Sequence, residues 1–206
     1  LKPIRDASHK ITGFHATAAQ QPEELLIYME LNEQITEEES QRLKEKILSI
    51  LQDIHCAVQD WGKMRHQVNE ALFDLDKGYS HFETTEKKEI QGLLQWLDRG
   101  YFTFLGYRDY DQDGKKGELL GILRNKEAPL FADTPENEER FFEKGFLKEK
   151  NFLITKTRAL STIHRLVPMD VLCIKKFDAS GLPVGERQFF GLFTSSVYSH
   201  SVQDIP

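Results

Sequence analysis

The sequence predicts an α+β fold in which antiparallel β-sheets pack against helices. Short segments rich in β-branched and aromatic residues are bounded by turns of Asp, Ser and Gly, which is typical of antiparallel strands. One long stretch instead repeats apolar residues every three or four positions, which indicates an amphipathic helix. The apolar fraction is 39% over 206 residues, enough to fill a substantial core.

Residues 1–78 are predicted to form a first module, which begins with three strands. The predicted strands are Pro3–Arg5, Ile11–Thr17 and Glu24–Leu31. The first two flank a polar turn, and the third is the most apolar of the three.

A long helix is predicted to follow these strands. Thr36 and Glu39 form a capping-box pattern that marks its start. The apolar stripe continues to about Leu75, with Gly62 as the position where a bend is expected. We expect the first half to pack on a sheet, and the face from Trp61 to Leu75 to be available to a partner.

Residues 79–206 are predicted to form a second module that starts with a helix and a hairpin. The helix begins at Thr84 or Thr85 and ends near Gly100. The strands Phe102–Tyr110 and Gly117–Arg124 follow as a hairpin, and a further helix covers Glu136–Leu147.

Three more strands complete this module: Phe152–His164, Val171–Phe177 and Gln188–Ser195. Asp178 and Gly181 lie in the turn between the last two, where they can bond the backbone or accept positive φ. Because both of these strands are strongly apolar, the hairpin is expected at the centre of the sheet.

Five antiparallel strands with helices inserted after the second is the order of a PAS-like domain. An ACT-like domain is the alternative, although its order is strand-helix-strand-strand-helix-strand. Three strands followed by a helix fit the end of an ACT-like module, so residues 1–78 are interpreted as a partial one.

Several motifs resemble those of the large bacterial NAD-specific glutamate dehydrogenases. They are STxHRxxxMD at residues 161–170, KKFD at 175–178, VGERxFxGLxTS at 184–195, FTFLGYR at 102–108 and DWxxMR at 60–65. The resemblance implies a piece of the N-terminal, non-catalytic region, which carries ACT-like and PAS-type modules. It also implies a parent enzyme that converts L-glutamate, NAD and water to 2-oxoglutarate, ammonia and NADH.

Composition excludes several other classes of function. A net charge of −6 disfavours a nucleic-acid-binding surface, and no apolar run approaches the length of a membrane span. Cys56 and Cys173 are too few for a disulfide framework and are expected to be buried thiols. A cytoplasmic location is therefore predicted.

Motifs for cofactors and metals are missing from the sequence. No Gly-x-Gly-x-x-Gly follows a predicted strand, and neither Cys-x-x-Cys nor His-Glu-x-x-His occurs. We expect no cofactor, no metal and no catalytic residue in this segment, with NAD bound elsewhere in the parent.

One candidate ligand site lies near the last two strands and consists of His164, Arg165, Asp170 and Arg187. Two arginines and a histidine could bind a small carboxylate or an amino acid. The alternative is a structural pair of Arg165 or Arg187 with Asp170, which we favour because such pairs are more often structural.

The leading hypothesis is a regulatory and assembly segment that contacts other domains and subunits of an oligomeric parent. The rival hypothesis is a sensor in which a small carboxylate or amino-acid effector controls the parent enzyme.

Overall fold

The computed structural model describes residues 2–8, 10–15, 27–77, 83–125 and 150–194. Backbone packing divides the chain into two units, Leu1–Ser40 and Gln41–Pro206. The described residues form two antiparallel sheets and two α-helices, which confirms the predicted α+β class.

The first unit contains a small hairpin. Strands β1 (Lys2–Arg5) and β2 (Ile11–His15) pair antiparallel around a turn organised by Asp6, whose Oδ1 accepts hydrogen bonds from the backbone N–H of Ser8 and of Lys10, both at 2.9 Å. Both strands were predicted.

The predicted strand Glu24–Leu31 is wrong where it can be examined. Residues 27–31 form no strand, and residues 24–26 lie outside the described part of the chain. The side chains of Ile27, Tyr28 and Met29 are exposed. A strand needs a neighbour for its backbone hydrogen bonds, and no described strand pairs with these residues.

Helix α1 spans Glu37–Lys77 without interruption at Gly62. The predicted capping box is present: the Thr36 N–H donates to Glu39 Oε2 (2.8 Å), and the Glu39 N–H donates to Thr36 Oγ1 (3.3 Å). The bend expected at the glycine stays a prediction, since a continuous helix can also curve.

The second unit is built on a five-stranded sheet. Its remaining elements are α2 (Thr84–Trp96), β3 (Phe102–Asp111), β4 (Lys116–Gly121), β5 (Phe152–Leu160), β6 (Pro168–Phe177) and β7 (Pro183–Phe193). All neighbouring strands are antiparallel in the order β4-β3-β7-β6-β5, so the β6–β7 hairpin lies inside the sheet as predicted. Counted within the module, this order is 2-1-5-4-3.

The PAS-like name and the module boundary at residue 78 stay predictions. The predicted helix at Glu136–Leu147 falls in residues 126–149, outside the described part. Strand β5 ends at Leu160, earlier than the predicted His164, and residues 161–167 form a loop before β6.

One face of the sheet, called the helix face, packs against α2 and the second half of α1. Its core joins Met64, Val68, Leu75 and Leu94 of the helices to sheet residues Tyr107, Leu172, Ile174 and Phe189. In the second half of α1, Met64, Val68 and Leu75 are buried against the sheet. The expectation that the face from Trp61 to Leu75 is available to a partner is therefore wrong for these residues, whereas Trp61 at its start is half exposed.

A polar seam ties α1 to the rest of the unit. It consists of Asp53, Asp60, Gln67 and Asp74, which are seven residues apart and so lie on one side of the helix. Asn125 and Thr162 donate to Asp53, the Gly121 N–H and Arg124 to Asp60, Tyr107 to Gln67, and Arg187 to Asp74. Since each of these four side chains has a specific partner outside the helix, the seam stabilises one register of the helix.

Tyr107 provides a test of this seam. Its ring is 1% exposed, and its hydroxyl donates to Gln67 Oε1 at 3.0 Å. Burial raises the pKa of Tyr107 above its ordinary value, because the charged phenolate is disfavoured there. The stability that this neutral phenol contributes is present below the unfolded pKa of 10.0 and is lost as the pH rises above it.

We expect Tyr107→Phe to cost about 1 kcal/mol of unfolding free energy near neutral pH, because it removes one hydrogen bond. Between about pH 9 and pH 11 the unfolding free energy of the variant should fall by roughly 1.4 kcal/mol less than that of the wild type. The reason is that Tyr107 ionises in the unfolded wild-type chain, whereas phenylalanine cannot ionise. Urea unfolding at both pH values measures the difference. Equal losses in the two proteins would show that Tyr107 ionises as freely in the folded chain as in the unfolded one.

Candidate docking surface

The first half of α1 exposes a row of apolar side chains, called here the α1 stripe. It consists of Leu51, Ile54, Val58 and Trp61, which follow one another at steps of three or four residues and share one side of the helix. Val58 is 71% exposed and Trp61 50%. A continuous apolar row of this kind, unlike scattered single side chains, makes this side of α1 a candidate interaction surface.

A groove of about 490 Å³ lies beside this stripe. Its walls come from α1, from the start of β3 and from the loop between β5 and β6, namely Ile54, Ala57, Val58, Trp61, Thr103, Phe104, Leu105, Ile163 and His164. Most of these side chains are apolar. The groove therefore extends the apolar surface of the helix onto the sheet.

Trp61 is held in position at the edge of the groove. The guanidinium carbon of Arg65 lies 4.8 Å from the centre of the Trp61 ring, a cation–π arrangement. Arg65 is itself fixed by Asp98, with Nε and Oδ1 2.6 Å apart, and this bond raises the pKa of Arg65. The half-exposed indole is thus preorganised before any partner arrives.

Gly62 follows Trp61 and is unusual in the middle of a helix. Glycine costs about 1 kcal/mol there relative to alanine. A Cβ added at Gly62 would meet no atom within 4 Å, so packing inside the described unit does not require glycine. Because Gly62 has no side chain, another backbone could approach α1 closely beside the exposed Trp61.

Two of the predicted ligand-site residues, His164 and Arg165, lie in the loop between β5 and β6. His164 is exposed, lines the groove and has a left-handed φ of 67°. Arg165 is also exposed and donates from Nη2 to the Phe193 carbonyl oxygen at 2.6 Å, which anchors the loop to the end of β7.

The other two residues of that set are positioned elsewhere on the sheet. Asp170 pairs with Lys156 at 2.7 Å, and Arg187 pairs with Asp74 at 2.5 Å. Asp170 lies opposite Gly191, four residues along β7 from Arg187, which is about 13 Å at the usual rise of a strand.

The structure thus brings His164 and Arg165 together but separates them from Arg187. Ligand binding by the four residues stays a prediction. Arg187 does belong to an Arg–Asp pair, but its partner is Asp74 of α1 rather than Asp170. The signal that could have found Asp74 is the seven-residue spacing of polar residues along the helix.

The described ranges offer little evidence for other kinds of functional site. No group of three or more His, Cys, Asp or Glu residues there is arranged to hold a metal ion. Among the helices described, none combines the length and apolarity needed to cross a membrane. A polar depression of about 860 Å³ lies beside Gln52 and Gln59, but its Arg124 is already paired with Asp60.

No protein-family model matches the sequence. Curated relatives do match it: the NAD-specific glutamate dehydrogenase of Pseudomonas aeruginosa is 32% identical over 194 residues, and that of Halomonas elongata is 28% identical over 215 residues. These alignments cover 89% and 98% of this chain. The chain spans only 12% and 13% of the two relatives' own length. The resemblance predicted from the motifs is therefore confirmed, since nearly the whole chain is similar to a short part of NAD-specific glutamate dehydrogenases.

Proposed function

We propose that this chain is a regulatory and assembly segment of an NAD-specific glutamate dehydrogenase and performs no catalysis itself. The parent would be a cytoplasmic enzyme that oxidises L-glutamate to 2-oxoglutarate and ammonia. Its NAD would bind outside this segment. The relatives' names and the small share of their length that the chain matches support this proposal. So does the α1 stripe, whose exposed apolar side chains suit docking better than chemistry.

The proposed occupant of the groove is an amphipathic helix from another part of the same parent polypeptide. Because the matched relatives are about eight times longer than this chain, most of the surface available for docking belongs to the rest of the parent. A helix binds such a groove by apolar residues at i, i+3, i+4 and i+7. Gly62 would allow that helix to approach α1 closely at Trp61.

The test uses the full-length parent with Val58→Glu and Trp61→Glu. A charge at either position would be buried in the interface without a partner, so we expect loosened domain packing, seen as faster limited proteolysis and a lower sedimentation coefficient. In the isolated segment both side chains are at least half exposed, and the unfolding free energy should change by no more than about 0.5 kcal/mol.

Ser49→Glu serves as the matched control, because Ser49 is exposed on the same helix but outside the α1 stripe. A parent with Val58→Glu and Trp61→Glu that behaves like this control would contradict the docking proposal. Self-association of the isolated segment that is abolished by Trp61→Glu would instead assign the groove to a second copy.

A further inference from the structure

The face of the sheet opposite the helix face carries a buried arginine, Arg108 of β3. It lies opposite Gln188 of β7, which in turn lies opposite Cys173 of β6, so the three share one row across the sheet. Arg108 is 7% exposed. Its guanidinium carbon lies 5.3 Å from the centre of the Tyr110 ring and 5.0 Å from that of Phe190.

Only one side of this guanidinium has a protein acceptor among the described residues. Nε donates to Gln188 Oε1 at 2.6 Å, and the Gln188 amide is oriented in turn by a short hydrogen bond to Glu186. The terminal nitrogens Nη1 and Nη2 donate to no described residue, and no described carboxylate lies within ion-pair distance of them.

This arrangement is costly unless an anion completes it. A buried charge without a counter-ion destabilises a protein by several kcal/mol, and natural proteins normally pair it. The other deeply buried arginine of the sheet, Arg187, follows that rule through Asp74. Arg108 instead leaves its two terminal nitrogens without a described acceptor, beside the rings of Tyr110 and Phe190.

We propose that Arg108 is the anchor of a binding site for a small carboxylate of amino-acid size. The terminal nitrogens would hold the carboxylate in a two-pronged pair, for which a guanidinium is well shaped. One carboxylate neutralises one buried guanidinium, whereas a phosphate dianion would leave a net negative charge buried beside it. The inference rests on the proposed regulatory function and supplies its effector site.

The experiment is thermal unfolding of the isolated segment with L-glutamate, 2-oxoglutarate or inorganic phosphate. A carboxylate probe at about 100 times its Kd should raise the melting temperature by roughly 5 to 10 °C. Arg108→Met should abolish the shift, and Arg108→Lys should weaken binding by roughly tenfold or more because a lysine cannot form the two-pronged pair. Arg158→Gln, an exposed arginine on β5 of the same sheet, should leave the shift unchanged.

The ligand-free melting temperature separates a binding role from a structural one. Arg108→Met should melt close to the wild-type temperature, because the gain from removing a buried charge without a counter-ion offsets the loss of its hydrogen bond to Gln188 Oε1. A clear loss of ligand-free stability in Arg108→Met would overturn the proposal. The absence of any shift with either carboxylate would overturn it too, as would a shift with phosphate alone. None of these outcomes alters the docking test at Trp61, so the two proposals fail independently.

Discussion

Replacing Asp74 with Ala is expected to destabilise the isolated segment by about 3 to 5 kcal/mol, which corresponds to a fall in melting temperature of roughly 6 to 20 °C. The reason is the buried pair between Asp74 and Arg187, which are 4% and 5% exposed and 2.5 Å apart. Removing the carboxylate leaves a guanidinium buried between α1 and the sheet without a counter-ion. Lys77 contacts the same carboxylate at 2.9 Å and is also released.

Two further variants show whether the loss of stability comes from breaking the Asp74–Arg187 pair or from changing any acidic residue in this part of α1. Asp76→Asn removes a more exposed partner of Lys87 on the same helix and should cost less than about 1 kcal/mol. The double variant Asp74→Leu with Arg187→Met should recover most of the lost stability, because both buried charges are then gone. A single Asp74→Ala that unfolds like the wild type in urea would show that this pair does not hold α1 on the sheet.

Gly191→Ala is expected to lower the unfolding free energy by about 3 kcal/mol. Gly191 lies on β7, the central strand of the sheet, between β3 and β6. A Cβ there would overlap the Thr103 carbonyl oxygen and the Phe102 ring. Because the oxygen belongs to a hydrogen-bonded backbone, it cannot move aside as a flexible side chain can.

Gly62→Ala is the matched control, since it makes the same chemical change where a Cβ meets nothing within 4 Å. It should stabilise the isolated segment by up to about 1 kcal/mol through helix propensity. Chemical denaturation of the two variants should therefore give changes of opposite sign. A Gly191→Ala protein as stable as the wild type would contradict the close packing of β7 against β3.

The strands were predictable because their signal is local. The turn at Asp178 and Gly181 is formed as expected: Asp178 Oδ1 accepts the Ser180 and Leu182 N–H groups, and Gly181 has a φ of 80°. The Ser180 hydroxyl also donates to this oxygen, and it is the main cause that lowers the pKa of Asp178, followed by the Leu182 N–H. The segment 27–31 has the composition of a strand, but composition alone does not supply the neighbour that a strand requires.

Helix α1 shows where sequence reasoning stopped. Its apolar residues were treated as one stripe, whereas the structure separates two sides: Ala57 and Met64 are buried on the sheet, and Val58 and Trp61 are exposed. A repeat of apolar residues predicts that a helix has an apolar face, but it does not tell which part of the protein that face packs against. The polar seam would have resolved the two sides, since buried aspartates require partners on the surface that the helix covers.

The candidate sites depended on distance in the fold, which a single sequence does not give. Arg187 and Arg108 belong to adjacent, paired strands. The sequence allowed Arg187 either a place in a ligand site or a structural pair with Asp170. The structure pairs Arg187 with Asp74 and leaves the terminal nitrogens of Arg108 without a described acceptor. The two arginines differ because Arg187 lies against a carboxylate of α1, Asp74, whereas no described carboxylate pairs with Arg108.

Hydrogen–deuterium exchange along α1 tests the central claim most directly, with the isolated segment compared with the full-length parent. In the isolated segment, residues 43–62 should exchange quickly, since few of their side chains are buried, and residues 64–75 should exchange slowly against the sheet. In the parent, exchange should slow markedly over residues 43–62 and change little over residues 64–75. Exchange over residues 43–62 that is equally fast in both proteins would contradict a docking role for this helix.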